Sequence, residues 1–227
     1  MANRPVIKWP DPVLKKVCLP VAIDEFGDDL ENFVRDMCDT VDVQMGAGLA
    51  APQIGVSRKV VILKATDFVE NNPDPYEKDE NILVLINPDT TLSGDDVSWE
   101  EGCLSLPGYT AQVTRKSIAH VAYQDLHGNQ KELTAEWPLS GGIQHECDHL
   151  IGKLFIDRAS RLVAGSIRKK MLKRIKDRKR HTKALRRETL VDIHGEAAVR
   201  KMERPPKRRN KKSEKLKKLS RKNNRKK

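Results

Sequence analysis

An α+β fold is what this 227-residue sequence predicts, and three observations carry it. From Asp28 to about Val43, apolar Leu30, Phe33, Val34, Met37 and Val41 recur at helical spacing and form one buried stripe. KVVILK (59–64) and NILVLINP (81–88) are short, β-branched and bounded by turn residues, as strands are. SIAHVAYQD (117–125) and QKELTAEW (130–137) flank Leu126-His127-Gly128-Asn129, a hairpin signal.

The remaining elements follow in order. DPVLK (11–15) offers a turn and a short helical start, and MGAGLAAPQIG (45–55) ends the first helix as a glycine-rich loop. VENNPDPYEKDE (69–80) is polar and proline-bearing, a surface excursion. Pro138 suits the first turn of a helix running to about Ile151. Beyond Asp157, Val163, Ile167, Met171 and Ile175 recur every four positions among basic residues, and a weaker helical pattern covers 183–203. Pro205-Pro206 then stops regular structure, and 207–227 is low-complexity. The expected organisation is a catalytic domain at 1–157, a basic helix at 158–181 and a basic, largely disordered tail at 182–227.

Charge draws the same boundary. Residues 1–157 hold 13 Lys+Arg against 26 Asp+Glu, whereas 158–227 hold 30 against 6, balances of −13 and +24. An acidic body with a basic end points to a polyanionic partner for that end, nucleic acid first. No aromatic residue follows Phe155, which disfavours base stacking and favours backbone contacts to folded RNA. The N-terminal MANRPVIKWPDPVLKK lacks an apolar signal core, and no apolar run approaches the roughly 20 residues of a membrane span. The four cysteines (Cys18, Cys38, Cys103, Cys147) lack framework spacing and read as thiols of a cytoplasmic protein.

Chemistry concentrates in QHECDHLIG (144–152). On a helix, His145 and His149 project from one face and can share a metal ion, while Glu146 lies beside it as a candidate acid/base. Asp148 points away from the metal, and Cys147 falls on the far side of the helix as core. Two His leave the site one protein ligand short of an open catalytic centre. Carboxylates are few downstream, so Cys103 in WEEGCLSLPG (99–108) is the candidate third ligand, against the alternative of a small buried apolar residue.

EGCLS, QHECDHLIG and GAGLAAPQIG together resemble the three signature motifs of peptide deformylases, in family order. The opening PDPVLKKVCLPV and INP at 86–88 are similar to that family too, and the likeness covers roughly 5–175. The resemblance implies small antiparallel or mixed sheets packed around a central HExxH helix. It implies that Cys103, His145 and His149 hold Fe²⁺, with Ni²⁺, Co²⁺ or Zn²⁺ able to substitute. The implied reaction removes the formyl group from the first methionine of nascent chains. Glu146 would handle the protons, and the Gln53 amide and Leu104 N–H would stabilise the oxyanion. Gly46, Gly48, Leu49, Gly102 and Gly142 would meet the peptide, 46–49 as an added strand. Glu101 would orient the loop around Cys103, and Arg115 would pair with an acid nearby.

Two departures from the family stand out: Thr110, preceded by Tyr109, where many members have Arg, and Gly141-Gly142, where bulkier residues are usual. The glycines predict a wider or more plastic pocket. In bacterial members the C-terminal helix is implicated in ribosome docking, so the basic end implies a ribosomal RNA partner, and the family expectation is a monomer. Two other readings compete: an HExxH endopeptidase, disfavoured by a sulfur ligand, and an RNA- or ribosome-binding protein with an impaired deformylase-like domain, disfavoured by the complete residue set.

Overall fold

The structure, a computed structural model, describes residues 3–68 and 82–202. The expected excursion at 69–80 and the low-complexity stretch 207–227 lie outside them. Two compact units divide the chain, Met1–Lys169 and Lys170–Lys227.

In the first unit, helix α1 spans Asp28–Val43, the range its stripe predicts, with Asp28, Asp29 and Glu31 at its positive N-terminal end. Strands β1 (Gly48–Ala50), β2 (Val60–Lys64), β3 (Ile82–Gly102), β4 (Thr110–Gln124) and β5 (Gln130–Glu136) form one antiparallel sheet in sequential order. Helix α2 spans Leu139–Leu150, with Pro138 at its N-cap rather than inside its first turn. A single-turn 3₁₀ segment, Pro12–Lys15, realises the short start expected of DPVLK.

β2 explains how the layers assemble. Val61 and Leu63 join the core under α2, with Leu83, Leu85, Val121 and Ile143. Val60 and Ile62 join the core under α1, with Leu30, Val34, Met37 and Ile86. Alternating side chains point to opposite faces, so a strand buried on both sides must be apolar throughout, which is why VVIL shows no polar interruption.

Several expectations are corrected. The antiparallel pairing expected is present, but as one five-stranded sheet rather than several small ones, and the parallel pairing among the described residues is the isolated bridge Leu19–Arg58. The reason is β3, a 21-residue strand whose first residues pair with β2 and whose remainder pairs with β4. Bulges between Ile86/Asp89 and Ser93/Asp96 bend it. Asn87 takes a left-handed φ of 51° at the first bulge, a conformation Asn tolerates better than other side chains. Its amide accepts from Val21 N–H and donates to Val21 O and Gln124 Oε1. The expected loop at 45–55 contains β1 and a 3₁₀ turn, Ala51–Ile54, because Gly48–Ala50 pair with β2.

The first unit also extends past Asp157, to Lys169. Helix α3 (Arg161–His194) buries Ala164 and Ile167 in its opening turns, although charge suggests a boundary before them. Within the second unit α3 continues well past 181, since no breaker occurs before Gly195. There φ is +78° and Gly195 N–H bonds Val191 O, ending the helix. Helix α4, Glu196–Met202, follows, joined to α3 by Arg187–Glu196 at 2.6 Å. Helix thus occupies part of the stretch expected to be disordered. Among the described residues no helix is long and apolar enough to cross a membrane.

Candidate metal centre

Two elements and one turn bring the donors together. On α2, His145 and His149 lie one turn apart, with ring centroids 5.2 Å apart. Trp99 and Glu101 share the inward face at the end of β3, and Cys103 follows just past the strand. The Cys103 thiol and one nitrogen from each imidazole lie within 4.8 Å of one another, with Cys103 Sγ 3.4 Å from His149 Nε2.

The surroundings orient these donors. His145 Nδ1 meets Glu101 Oε2 at 2.7 Å, which leaves Nε2 for the ion. Arg115, also buried, clamps Glu101 at 2.7 and 3.0 Å and reaches Asp148 at 2.6 Å. Arg158 grips Asp148 from the surface side at 2.6 and 3.0 Å. Asp148 thus points away from the donors, as helix geometry predicts, and anchors the back of α2. Cys147 packs partly buried against the core and accepts from the Thr90 hydroxyl.

Burial would raise the Glu101 carboxyl, but the bonds and charges of His145 and Arg115 hold it at about 2. Burial would likewise raise the Cys103 thiol, yet His149 and His145 hold it well below the usual thiol range. Burial dominates at Glu146 and raises its carboxyl, against the pull of both imidazoles. The Glu146 Oε2 atom and His149 Nδ1 are buried with no protein partner among the described residues. A thiolate poised between two imidazoles, beside an unpartnered carboxylate oxygen, is a donor set that fits one divalent ion.

A cavity of about 550 Å³ opens onto this cluster and is bordered by Gln53, Gly46, Gly48, Gly102, Leu104 and Gly142 as well as Cys103, His145 and Glu146. Gln53 Oε1 accepts from Ala50 N–H, which turns its Nε2 toward Cys103 Sγ and Ser105 Oγ, each at 3.4 Å. The Leu104 carbonyl accepts from Lys8 Nζ at 2.7 Å. Gly48 is required by proximity: a Cβ there would lie 2.8 Å from Glu146 Oε1. Tyr109 and Thr110 also border the cavity.

One site expectation changes, at the glycine pair; at Leu49 the expected contact, strand pairing, is through backbone. The Leu49 side chain does not border the cavity; strand alternation turns it into the core under α1, fully buried. Gly141-Gly142 do not leave open space either. A Cβ at Gly141 would meet Trp137 at 2.7 Å, and one at Gly142 would meet Phe68 at 2.6 Å, so aromatic rings occupy the room that larger helix residues would take. Phe68, Lys8 and Arg158 escape a motif reading because each lies outside the three motifs, whereas Ser105 closes EGCLS and Trp99 stands two residues before Glu101 on one strand face.

Comparison with known proteins agrees with this geometry. Residues 3–164 match the polypeptide deformylase family. The peptide deformylase of Helicobacter hepaticus is 36% identical over 184 residues, covering 81% of this chain and 96% of that protein. The Acidobacterium capsulatum peptide deformylase is 43% identical over 162 residues, 71% of this chain and 89% of that one. Among solved structures, a peptide deformylase from Legionella pneumophila superposes with a TM-score of 0.67 at 36% identity, covering 78% and 99% of the two chains. Plant peptide deformylase PDF1B gives 0.69 at 30% identity, covering 80% and 94%. The fold and the Cys-His-His cluster are those of a metal-dependent hydrolase. The chain belongs to the polypeptide deformylase family.

Proposed function

We propose that this protein hydrolyses the N-formyl group from the first methionine of nascent polypeptides, releasing formate. The observation that carries the reading is the convergence of Cys103, His145 and His149 near Glu146, whose Oε2 is buried without a partner among the described residues, in a cavity that also holds the Gln53 amide. Cys103, His145 and His149 would hold a divalent ion at the face of the helix around which the domain is built, Fe²⁺ natively, with Ni²⁺, Co²⁺ or Zn²⁺ able to substitute; the S/N donor set accommodates all four. When bound, such an ion supplies Lewis-acid polarisation of the formyl carbonyl and of water.

The chain's own groups do the rest. Glu146, its carboxyl raised by burial, is suited to take a proton from the attacking water and return it to the departing amine. The Gln53 Nε2–H and the Leu104 backbone N–H would donate to the oxygen that gains charge as the formyl carbon becomes tetrahedral. β1 is an edge strand of the sheet, so residues 46–49 can pair with an extended peptide, with Gly46, Gly48 and Gly102 allowing close approach. Glu101 and Arg115 hold His145 in place from behind.

Anaerobic purification with Fe²⁺ or Ni²⁺, followed by assay of formate released from formyl-methionyl peptides, tests the reading. Glu146→Ala should keep its metal and lose turnover; full activity in that variant, or peptide-bond cleavage by the wild type, would refute the assignment.

The basic C-terminal segment, we further infer, binds ribosomal RNA and keeps a monomeric, cytoplasmic enzyme where formylated chains emerge. Thirty cationic side chains after Asp157 support it, through phosphate contacts that weaken steeply with salt. Truncation after Lys169, which spares Ala164 and Ile167 in the core, should abolish cosedimentation with ribosomes. Unchanged cosedimentation would remove the tail from the account.

A further inference from the structure

Gln53 and Leu104 stand on different pieces of chain. Gln53 lies in the 3₁₀ turn Ala51–Ile54, and Leu104 in the turn that follows β3. Residues 7–9 join those pieces. Ile7 N–H donates to the Gln53 carbonyl at 2.7 Å and Trp9 N–H to the Ser105 carbonyl at 3.0 Å. Between them, Lys8 Nζ donates to the Leu104 carbonyl at 2.7 Å. The Cys103 carbonyl accepts from Leu106 N–H at 2.9 Å, so the turn after β3 is held at three consecutive carbonyls. Ser105 N–H is engaged by Cys103 Sγ at 3.4 Å. These bonds leave out Leu104 N–H, the donor that the proposed reaction needs.

A peptide unit is planar and turns as one body, so a bond on its carbonyl also fixes its N–H. Leu106 anchors the plane before Leu104, which carries the Leu104 N–H, and Lys8 anchors the plane after it. With both planes held, the Leu104 N–H keeps one direction; releasing the Leu104 carbonyl lets that corner rock. Donors to a developing oxyanion work by being aimed in advance at where the charge appears. Resting on the deformylase reading, we propose that Lys8 is a positioning residue for the oxyanion donors. It touches no reacting atom, and it aims the Leu104 N–H by holding the Leu104 carbonyl, while Ile7 and Trp9 keep the Gln53 turn in register with it. Lys8 is exposed and its bond is made by a side chain, so this one tie can be cut without altering the backbone bonds beside it.

The test is Lys8→Met in the full-length, metal-loaded enzyme, assayed with a formyl-methionyl peptide. Its kcat should fall about 10- to 100-fold, the scale of a misplaced rather than a missing donor. KM should stay near the wild-type value, because the lost interaction belongs to the transition state. Metal content and thermal midpoint should also hold, since an exposed side chain that binds no metal is removed. Lys8→Arg should recover most of the rate, because a lone carbonyl asks for a single N–H donor. The Cys103 thiolate also acts on the Lys8 ammonium, so the pH profile of kcat separates aim from charge. In Lys8→Met the curve should drop without moving along the pH axis. An unchanged kcat, a curve that shifts without dropping, a loss that Lys8→Arg does not recover, or a loss matched by loss of metal overturns the proposal and leaves deformylation intact. A wild type that releases no formate overturns the underlying reading instead, and this inference with it.

Discussion

Glu101 Oε2 lies 2.7 Å from His145 Nδ1, and the two oxygens of that carboxylate are shared with Arg115 and the Trp99 indole. One buried group therefore fixes a ligand's tautomer and a wall of the cavity together. Glu101→Gln keeps the shape and removes the charge that steadies the His145 N–H. Metal affinity should fall about 10- to 100-fold, the usual cost of losing such a partner. Competition with a chromophoric chelator measures it directly. Unchanged affinity would reduce Glu101 to a packing residue.

Gly48 poses a different constraint. Its Cβ would press on Glu146 Oε1 at 2.8 Å and on the Ile62 carbonyl at 3.1 Å, and backbone cannot yield cheaply. Gly48→Ala should push the carboxylate aside and lower kcat at least about tenfold, roughly 1.4 kcal/mol of barrier. Metal content, read by elemental analysis, should stay at the wild-type level because no ligand is touched. Loss of metal with loss of rate would place the damage in the fold rather than at Glu146.

Local chemistry was legible in the sequence, and long-range geometry was not. α1 follows from its stripe because one helix face packs on one core, and the donor pair follows from the HExxH spacing because a helix fixes i and i+4. Arg115 meets two acids, Glu101 and Asp148, whereas Glu101, expected at the Cys103 loop, meets His145. β3 failed as a reading because its later half is exposed and polar, so its length rests on pairing with β4 rather than on apolar pattern. The inward turn of the Leu49 side chain was not legible because a glycine-rich motif hides a strand's alternation. Gly141-Gly142 misled for a third reason: a glycine reports that something comes close, and only the fold says that Phe68 and Trp137 do.

Thiol reactivity separates three of the four cysteines. Burial pushes Cys18 up to about 11, with only Lys59 opposing it, and pushes Cys147 up to about 12 despite the Thr90 bond. At pH 8 a thiol with a pKa near 11 is ionised in about one molecule in a thousand, so both should resist alkylation in the native state. Cys103 is the reverse case, a thiolate held by its imidazole neighbours. Chelating the metal should make it the fastest of these three to react with iodoacetamide, and metal should protect it. Mass spectrometry of the labelled peptides checks the order; rapid native labelling of Cys18 would contradict its burial.

Asp157 ties the start of α3 to the body of the first unit. It pairs with Lys15, meets Arg168 at 2.6 Å and accepts from Leu154 N–H at 3.0 Å. Partial burial opposes ionisation, but Lys15, the Leu154 amide and Arg168 together hold the carboxyl below its ordinary 3.8. A depressed carboxylate stabilises the fold fully above its unfolded pKa, and that contribution is lost as pH falls through the lower folded value. At neutral pH, Asp157→Asn should therefore cost about 1 kcal/mol, a modest figure because both basic partners are partly exposed. The deficit should shrink once pH drops below 3.8 and vanish below the folded value, where wild type and variant are both neutral. Urea unfolding of the two proteins from pH 7 down to the acid limit of folding measures the difference. A deficit that persisted undiminished in acid would mean Asp157 acts through shape rather than charge.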